Sequence, residues 1–385
     1  MSLMLFFPNE TARTSRLGCQ NMSDMKTKIA DIILYRVNLP LVTPYRLSYR
    51  TFESFEPILI KICDQDGRVG WGEQHISPGS STETREGGWR FVKELAENIT
   101  GLETGAAKEL IGIRAHESIV VSTALVTAIE MLERANILQS VSTRRIRLLT
   151  AFNATKLDEV PDEVERRLIE GFKTFKIKVG KDVDDDLKMV AHIQECVDGR
   201  ATLRVDANRA YNREDGCAFA SALDPTGIEL FEQPCGSEDW ESNAAVAAVS
   251  KVPLMLDEPI CALPDIARAA KIDGVKLCKL KLKRFGGLAT LEAAILAAKE
   301  VGLGVVLGDG LGAEINSWME GCVADHLIDN AGEYNGYVKI KPEHRLLKSP
   351  LPFEDGHMIV PAGWWPEIDQ DKLAFHAIET ISVQP

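Results

Sequence analysis

Charged residues recur through the second half of the chain, each at the end of a short apolar run. Lys178, Asp206, Glu232, Asp257 and Lys281 are separated by 28, 26, 25 and 24 residues. Each run is typical of a buried β-strand, and each interval has room for one strand and one helix. A repeat of roughly 25 residues predicts a parallel β/α barrel, in which the C-terminal strand ends converge on one site.

The three acidic residues of this series predict a metal site. Hard divalent cations such as Mg²⁺ prefer oxygen ligands, and three carboxylates leave positions for water or substrate oxygens. No histidine or cysteine belongs to the periodic set, which disfavours Zn²⁺. We therefore expect Asp206, Glu232 and Asp257 to bind Mg²⁺, with Mn²⁺ as the alternative.

The two lysines of the series predict an acid/base pair. If Lys178 ends the second strand and Lys281 the sixth, they face each other across a ring of eight strands. One can remove a proton from a carbon, and the other can return it to the opposite face. An unperturbed lysine is protonated at pH 7, so a bound cation and the nearby Lys176 must lower the pKa. The cation would also stabilise the enediolate formed when a carboxylate loses its α-proton.

Charged residues at strand ends also have an ordinary structural interpretation. A single acidic residue after a strand is usually a helix cap or a surface residue. Five charged groups at five strand ends, in a near-constant period, disfavour that interpretation. Around the second strand, Lys176 and Lys178 share the face opposite to the apolar residues of 175–179 and are expected to point into the barrel. Lysines near the sixth strand are expected to include ordinary surface residues: Lys276, Lys279 and Lys283.

A separate α+β domain is predicted ahead of the barrel, at about 28–140. It begins with β-rich runs and continues with helical periodicity over about 89–138. Residues 1–27 are expected to lie outside the fold, as a disordered or artificially added extension.

The barrel itself is predicted at 141–350. A helix is expected from Pro161 to Glu170, and a polar strand from Glu333 to Ile340. Residues 351–385 show little barrel pattern and are expected to pack back on the first domain.

Composition excludes several classes of function. The chain is 45% hydrophobic and 26% charged, which is typical of a globular protein, and its net charge of −13 disfavours a nucleic-acid partner. No apolar run is long enough to span a membrane, and the apolar start lacks the basic region of a signal peptide. The eight cysteines are scattered, which predicts reduced thiols and a cytoplasmic protein.

The motif set resembles the enolase superfamily, and within it the muconate lactonizing enzyme subgroup, over about residues 28–385. That resemblance implies a modified (β/α)₇β TIM barrel with an N-terminal α+β capping domain, and a Mg²⁺-dependent enzyme that forms a homo-oligomer. The matching motifs are Lys176-x-Lys178, Asp206-x-Asn208, Phe231-Glu232-Gln233-Pro234, Asp257-Glu258, and Lys281 followed by Arg284-Phe-Gly-Gly287.

The resemblance also assigns roles. It implies that Asp206, Glu232 and Asp257 are the metal ligands and that Lys178 and Lys281 are the acid/base pair. The remaining residues of the motifs would act on these five. Lys176 would tune Lys178 or contact the substrate carboxylate, and the groups that would support the metal ligands are Asn208, Gln233 and Glu258.

The motifs leave the reaction open, because cycloisomerases, dipeptide epimerases, amino-acid racemases and some dehydratases share them. Dipeptide epimerases carry an Asp-x-Asp at the end of the eighth strand, which the stretch Gly332–Tyr337 lacks. The segment Gly308–Glu314 after the seventh strand and Gly363-Trp-Trp-Pro near the C-terminus also depart from the common pattern. Substrate specificity therefore does not transfer.

Substrate contacts are expected from two loops of the first domain and from one barrel loop. Tyr49 and His75 belong to the two capping loops, at 43–51 and 73–80, and could line the pocket. Asp309, beside two glycines at a strand end, could pair with a cationic substrate nitrogen; a turn-forming Asp-Gly is the competing interpretation.

We therefore predict a Mg²⁺-dependent racemase or epimerase that acts at the α-carbon of a small carboxylate, namely an amino acid or an N-substituted, proline- or betaine-like derivative. Two alternatives use the same site: dehydration of a hydroxy acid such as a hydroxyproline, and cycloisomerisation. A non-catalytic barrel is the alternative of a different class.

Overall fold

The computed structural model describes residues 27–46, 50–79 and 81–385. Tyr49 and the predicted extension up to residue 26 lie outside the described residues.

The N-terminal part contains five strands followed by three helices. Glycines at 70 and 72 let the fifth strand pack closely on the third helix: a Cβ added at Gly72 would lie 1.8 Å from the carbonyl oxygen of Ala124. The elements are β1 (Ile29–Val37), β2 (Leu39–Arg46), β3 (Thr51–Phe55), β4 (Ile58–Asp64), β5 (Val69–Gln74), α1 (Arg85–Ile99), α2 (Thr104–Arg114) and α3 (Ile119–Leu132).

A parallel sheet of seven strands follows, after the short strand β6 (Arg144–Arg147). Its neighbours are in sequence order, as in a barrel. The strands are β7 (Thr150–Ala151), β8 (Thr174–Lys178), β9 (Thr202–Asp206), β10 (Ile228–Glu232), β11 (Leu254–Leu256), β12 (Val275–Leu280) and β13 (Gly304–Leu307).

Helices cover the outside of this sheet. The first of them has Pro161 in its first turn and ends just before Gly171, at a φ of +88°, within one residue of the sequence prediction. The helices are α4 (Val160–Ile169), α5 (Val183–Val197), α6 (Arg213–Ala222), α7 (Trp240–Val249), α8 (Leu263–Ala269), α9 (Leu282–Phe285), α10 (Leu288–Glu300), α11 (Glu314–Leu327) and α12 (Gly336–Lys339).

The barrel closes through a short segment around Gly332, and the predicted strand from Glu333 to Ile340 is wrong. Gly332 accepts a hydrogen bond from the backbone of Leu149, and Glu333 donates one to Leu307 at the far edge of the sheet. The chain then turns into α12 at Gly336, and the side chain of Asn335 donates to the carbonyl of Leu149. Two residues suffice to bridge the sheet edges, so the polar pattern after Glu333 belongs to a turn and a helix.

The interior of the barrel is divided into layers. Leu230, Met255 and Val306, with Leu277, form an apolar cluster separate from the main core. Outward-facing residues such as Phe175 join the core between sheet and helices. The apolar layer separates the charged residues at the C-terminal strand ends from those near the N-terminal ends.

The C-terminal segment returns to the first domain. Its elements are β14 (Phe353–Glu354), β15 (His357–Val360), α13 (Gln370–His376) and β16 (Ala377–Val383). β16 pairs antiparallel with β1, giving a four-stranded sheet in the order β16-β1-β4-β5, and β15 pairs with β6.

One buried carboxylate joins the first domain to the barrel. Glu73, at the end of β5, accepts hydrogen bonds from the backbone amides of Ala313, Ile315 and Asn316 at the start of α11. Burial raises the pKa of Glu73 and the three hydrogen bonds lower it; the effect of burial is larger, and the pKa rises to about 7. The N-terminal end of α11 therefore fixes the first domain over the barrel mouth.

Among the described residues, no helix is both long and apolar enough to cross a bilayer. The cysteines of the described chain are free thiols.

Candidate active site

Three buried carboxylates lie side by side at the C-terminal ends of neighbouring strands. Asp206 and Glu232 end β9 and β10 and are directly paired in the parallel register. Asp257 follows β11, the next strand. All three side chains are almost fully buried, at 0–2% exposure. Buried carboxylates need compensating positive charge.

An ammonium group bridges two of these carboxylates. Lys176 Nζ lies 2.9 Å from Asp206 Oδ2 and 2.8 Å from Glu232 Oε2. Burial raises the pKa of Asp206, but Lys176 and Lys178 outweigh it and lower the pKa to about 2. Burial and the neighbouring Asp206 raise the pKa of Glu232, against the two lysines that contact it. The pair of carboxylates therefore already holds a cation between its oxygens.

The donor set fits Mg²⁺ in chemistry. All the groups are oxygen donors, and positive charge is what the two bridged carboxylates require. In the arrangement described for residues 27–46, 50–79 and 81–385, no three Asp, Glu, His or Cys side chains converge to enclose an ion. The assignment of Asp206, Glu232 and Asp257 as metal ligands therefore stays a prediction.

The third carboxylate is held by different cations. Lys281 Nζ lies 2.9 Å from Asp257 Oδ2, and Arg284 Nη1 lies 2.9 Å from Oδ1. Burial raises the pKa of Asp257, but these two cations hold it well below its ordinary value. Conversely, burial lowers the pKa of Lys281, and Asp257 with Asp309 raises it above the ordinary value. The neutral form of Lys281 is therefore disfavoured as long as its ammonium group neutralises Asp257.

The two lysines predicted as the acid/base pair line the same cavity. Lys178 ends β8 and contacts Asp206 Oδ2 at 2.5 Å and Asn208 Oδ1 at 2.7 Å. Lys281 follows β12, four strands further along the sheet. Between them is a polar cavity of about 30 Å³, whose walls also include Asp309, Glu333 and Leu311. The structure thus brings together all five residues of the periodic series.

Sequence reasoning missed two buried partners. Lys279 was grouped with surface lysines, yet it is 1% exposed and contacts both Glu232 and Glu333 inside the barrel. Glu333 also accepts from Lys176 at 2.9 Å. The period-2 alternation of β12 could have identified Lys279, because it shares a face with Lys281. Glu333 was hidden by the wrong strand assignment.

Lys283 corrects the same expectation. It is 5% exposed, and its Nζ lies 2.5 Å from Asp309 Oδ2. Asp309 also lies 3.5 Å from Lys281, so its charge is already shared by two lysines. Of the three lysines expected at the surface, Lys276 alone is exposed, and 60% of its side chain is accessible.

Two of the three residues expected to support the metal ligands, Asn208 and Gln233, contact them. The side chain of Asn208 donates to Asp206 Oδ2 at 3.0 Å, and Gln233 Oε1 accepts from the backbone amide of Asp257 at 2.9 Å. Both adopt left-handed backbone conformations, with φ of 43° and 37°. Glu258 lines the cavity, and burial together with Asp257 raises its pKa to about 7. Strained backbone of this kind is common at functional sites.

The first domain covers the cavity with Tyr45. This residue of β2 lines the cavity, and its position was not predicted. His75, in contrast, is 2% exposed and packs edge-on against Phe52 and Phe55, with centroids 5.7 and 5.6 Å away. Burial lowers the pKa of His75 to about 3, which keeps the ring neutral. His75 is not among the residues that line the cavity in the described chain.

The comparisons with known proteins agree with this geometry. The model of the enolase C-terminal domain-like family matches residues 159–365, more than half of the chain. The chain is 26% identical over 366 residues to muconate cycloisomerase 1 of Acinetobacter baylyi, covering 88% of this chain and 96% of that protein. It is 28% identical over 355 residues to N-succinylamino acid racemase of an Amycolatopsis species, covering 87% and 93%.

The fold is also found among solved structures. Dipeptide epimerase from Cytophaga hutchinsonii, solved with Mg and the dipeptide D-Ala-L-Val, aligns with a TM-score of 0.83 and 19% identity. The alignment covers 93% of this chain and all of that one. The similarity therefore extends over the capping domain as well as the barrel.

Proposed function

Since this chain belongs to the enolase C-terminal domain-like family, in the enolase superfamily, we propose that it is a Mg²⁺-dependent isomerase. Its reaction is removal and return of the proton on the carbon next to a carboxylate. The observation that carries the proposal is the pair Lys178 and Lys281, which line one cavity beside three buried carboxylates.

Asp206, Glu232 and Asp257 would hold the metal. When bound, a divalent cation supplies positive charge that acidifies the α-proton of a carboxylate ligand. With the metal bound, the lysine and arginine side chains would no longer be the only groups that neutralise the three carboxylates. For Lys281, a weaker interaction with Asp257 would remove the largest influence that raises its pKa, and burial would then favour the neutral base more strongly.

Proton transfer falls to the two lysines. Lys178 and Lys281 approach the cavity from strands four positions apart, so a substrate carbon between them presents opposite faces to the two amines. One amine takes the proton, and the other ammonium delivers a proton to the opposite face. This exchange inverts the carbon and leaves each lysine in the other's starting protonation state.

The pairing of Asp309 bears on the substrate. A cationic substrate nitrogen would have to displace Lys283 from Asp309, at a contact of 2.5 Å. A substrate with a neutral, acylated nitrogen makes no such demand. Among the amino acids and N-substituted derivatives we propose racemisation or epimerisation of acylated forms over betaine-like ones.

Proton NMR in D₂O tests the proposal. The purified protein with Mg²⁺ is incubated with single enantiomers of N-acetyl amino acids, free amino acids, proline betaines, hydroxyprolines and muconate. We expect the α-proton signal of at least one N-acetyl amino acid to disappear and its optical rotation to fall towards zero. A sample treated with EDTA serves as the control and should retain the signal.

Other outcomes have defined meanings. A new vinylic signal would identify dehydration, and a lactone signal would identify cycloisomerisation, the activity that the name of the Acinetobacter relative gives. Absence of exchange and of product across the panel would contradict the proposal and favour a non-catalytic barrel.

A further inference from the structure

One lysine at the barrel mouth differs from all the others in its partners. Among the described residues, six cations around the cavity each lie within 4.0 Å of a carboxylate, whereas Lys339 of α12 has no carboxylate within that distance. The six paired cations are Lys176, Lys178, Lys279, Lys281, Lys283 and Arg284.

The contacts of Lys339 leave hydrogen-bonding capacity unused. Its Nζ donates to the carbonyl of Gly310 at 2.5 Å and lies 3.9 Å from the centroid of the Tyr45 ring. An ammonium group has three donors. Glu333 has the largest charge effect of any carboxylate on the pKa of Lys339. Glu333 is already neutralised by Lys176 and a second lysine, and its pKa lies well below the ordinary value because these cations outweigh burial.

Three polar atoms converge beside Gly310. A Cβ added there would lie 3.0 Å from Lys339 Nζ, 3.0 Å from the Tyr45 hydroxyl and 3.1 Å from Glu333 Oε1. Gly310 also has a φ of +70°. The loop after β13 therefore needs glycine here, both because of this backbone conformation and because a Cβ would crowd the three polar atoms. Tyr45 and Glu333 line the catalytic cavity, which makes this point an extension of it. In the described part of the chain the Tyr45 hydroxyl has no acceptor.

We infer that Lys339 and the hydroxyl of Tyr45 form a subsite for a second anionic oxygen group of the substrate. This inference rests on the proposed function and narrows its substrate to a dianion. One carboxylate belongs to the carbon between Lys178 and Lys281, and the second anionic group reaches the side of the cavity under α12. An ammonium and a phenol both donate to such a group, and neither is committed to another anion.

The environment of Lys339 supports this role. Burial lowers its pKa to about 7; Glu333 and Asp309 raise the pKa, and Lys176 and Lys178 lower it. The phenol of Tyr45 is the remaining titratable group in contact with it, and burial raises the pKa of that phenol well above its ordinary value. An anion bound at Lys339 favours the charged ammonium, so binding of a dianion should weaken as pH rises above about 7.

The test compares ligands that differ in charge but not in shape. N-acetylglutamate with N-acetylglutamine, and N-acetylaspartate with N-acetylasparagine, are titrated into the Mg²⁺-loaded full-length protein. Binding is measured by the shift in Tm, and turnover by α-proton exchange. We expect at least one dianion to bind about 10- to 100-fold more tightly than its amide, the range of one charge-assisted hydrogen bond. A phosphonate analogue of each dianion distinguishes a carboxylate from a phosphoryl-type group.

Variants test whether the preference for the dianion over its amide arises at the subsite of Lys339 and Tyr45. Lys339→Met should reduce the preference for the dianion over its amide to less than about 3-fold, and Tyr45→Phe should reduce it partly, with its packing intact. Lys348→Met, a surface lysine 3.3 Å from Glu367, is the matched control and should retain the full preference. Should Lys339→Met fail to fold, Lys339→Gln and Tyr45→Phe carry the test.

The two proposals fail in distinguishable ways. Equal binding of dianions and amides by the wild type, or a preference that survives Lys339→Met, would overturn the subsite and leave α-proton exchange standing. Tm shifts that favour the dianion, without exchange on any ligand, would support the subsite and contradict the proposed reaction.

Discussion

The two ends of the barrel both bury charge, but they do so differently. Near the N-terminal end, Arg204 is 1% exposed and every group has its own partner: Nε donates to Glu229, Nη1 to the Ala331 carbonyl and Nη2 to Asn330 Oδ1. At the C-terminal end, partners are shared. Lys176 contacts three carboxylates, and Asp257 contacts two cations.

That difference separates a structural charge from a functional one. An arginine with one acceptor for each of its three nitrogens is held in a single arrangement, and removing it would leave its partners buried and unpaired. Shared ammonium groups have several arrangements of similar energy, so a metal ion or a substrate can replace one of them. β9 carries both types, with Arg204 and Asp206 two residues apart on the same inward face.

Removing either of the lysines proposed as the acid/base pair should have the largest effect. Lys178→Ala and Lys281→Ala should each lower α-proton exchange with inversion by about 10²- to 10⁴-fold, the usual contribution of a positioned acid or base. Stability should change little, because the carboxylates at this end have other cations. NMR exchange and thermal unfolding measure the two effects, with Lys276→Ala on the same strand as control.

Full racemisation by either single lysine variant would contradict the two-base mechanism. Unfolding of both variants would contradict the view that charge at the C-terminal end is shared.

At the other end of the barrel, Arg204→Met should lower stability and leave activity unchanged, which is the reverse of the effect expected for the lysine variants. It leaves Glu229 without its cation and two acceptors without donors, at a cost on the order of 3 kcal/mol in the free energy of unfolding. Exchange activity per folded molecule should be unchanged. Chemical denaturation checks the first statement, and the double variant Arg204→Met with Glu229→Met should recover much of the loss. A catalytic defect in folded Arg204→Met would remove the distinction between the two ends.

Metal binding should stabilise the protein through the C-terminal end alone. Mg²⁺ at about 100 times its Kd should raise the free energy of unfolding by about 2.7 kcal/mol, because it binds only the folded state. Asp257→Asn should abolish the Mg²⁺-dependent shift in Tm, and Arg204→Met should retain it. An equal shift in wild type and Asp257→Asn would show that Asp257 does not hold the ion.

A pH-dependent effect on stability concerns Glu320 of α11, which accepts a hydrogen bond from the Leu282 amide. Burial raises its pKa to about 8. The folded state therefore binds a proton more tightly than the unfolded state, and stability should fall as pH rises from about 5 to 8, by at most about 1.4 kcal/mol per pH unit from this group. Glu320→Gln should flatten that slope; an unchanged slope would assign it to other groups, such as Glu73.

Much of the barrel could be predicted from local pattern. The 25-residue repeat marks strand ends from Lys178 to Lys281, because the chain needs one strand and one helix per unit and the strand end sets the position of the functional group. Period-2 alternation predicted that Lys176 and Lys178 point inward, and Lys176 indeed contacts Glu232 across the barrel. The helix from Pro161 is predicted by its amphipathic pattern, with Pro in the first turn and Gly171 just past the end.

The misses share a cause. The segment after Glu333 has polar alternation like an edge strand, but the gap at the closing point of the barrel admits only two residues of extended chain. Lys279 and Lys283 resembled surface lysines because their partners, Glu333 and Asp309, are distant in sequence. Tyr45 is not predicted because its segment, 43–51, is expected to be a capping loop, whereas Tyr45 lies in β2 of the structure.

The sequence by itself determined the barrel, the five charged strand ends and the chemistry they suggest, because strand alternation and βα repeats are written in neighbouring residues. The tertiary structure alone decided which cation faces which carboxylate. Lys176 and Glu333 are 157 residues apart, and Tyr45 meets Lys339 only after the first domain docks on the closed barrel. Burial makes those pairings energetically decisive, and burial is a property of the whole fold.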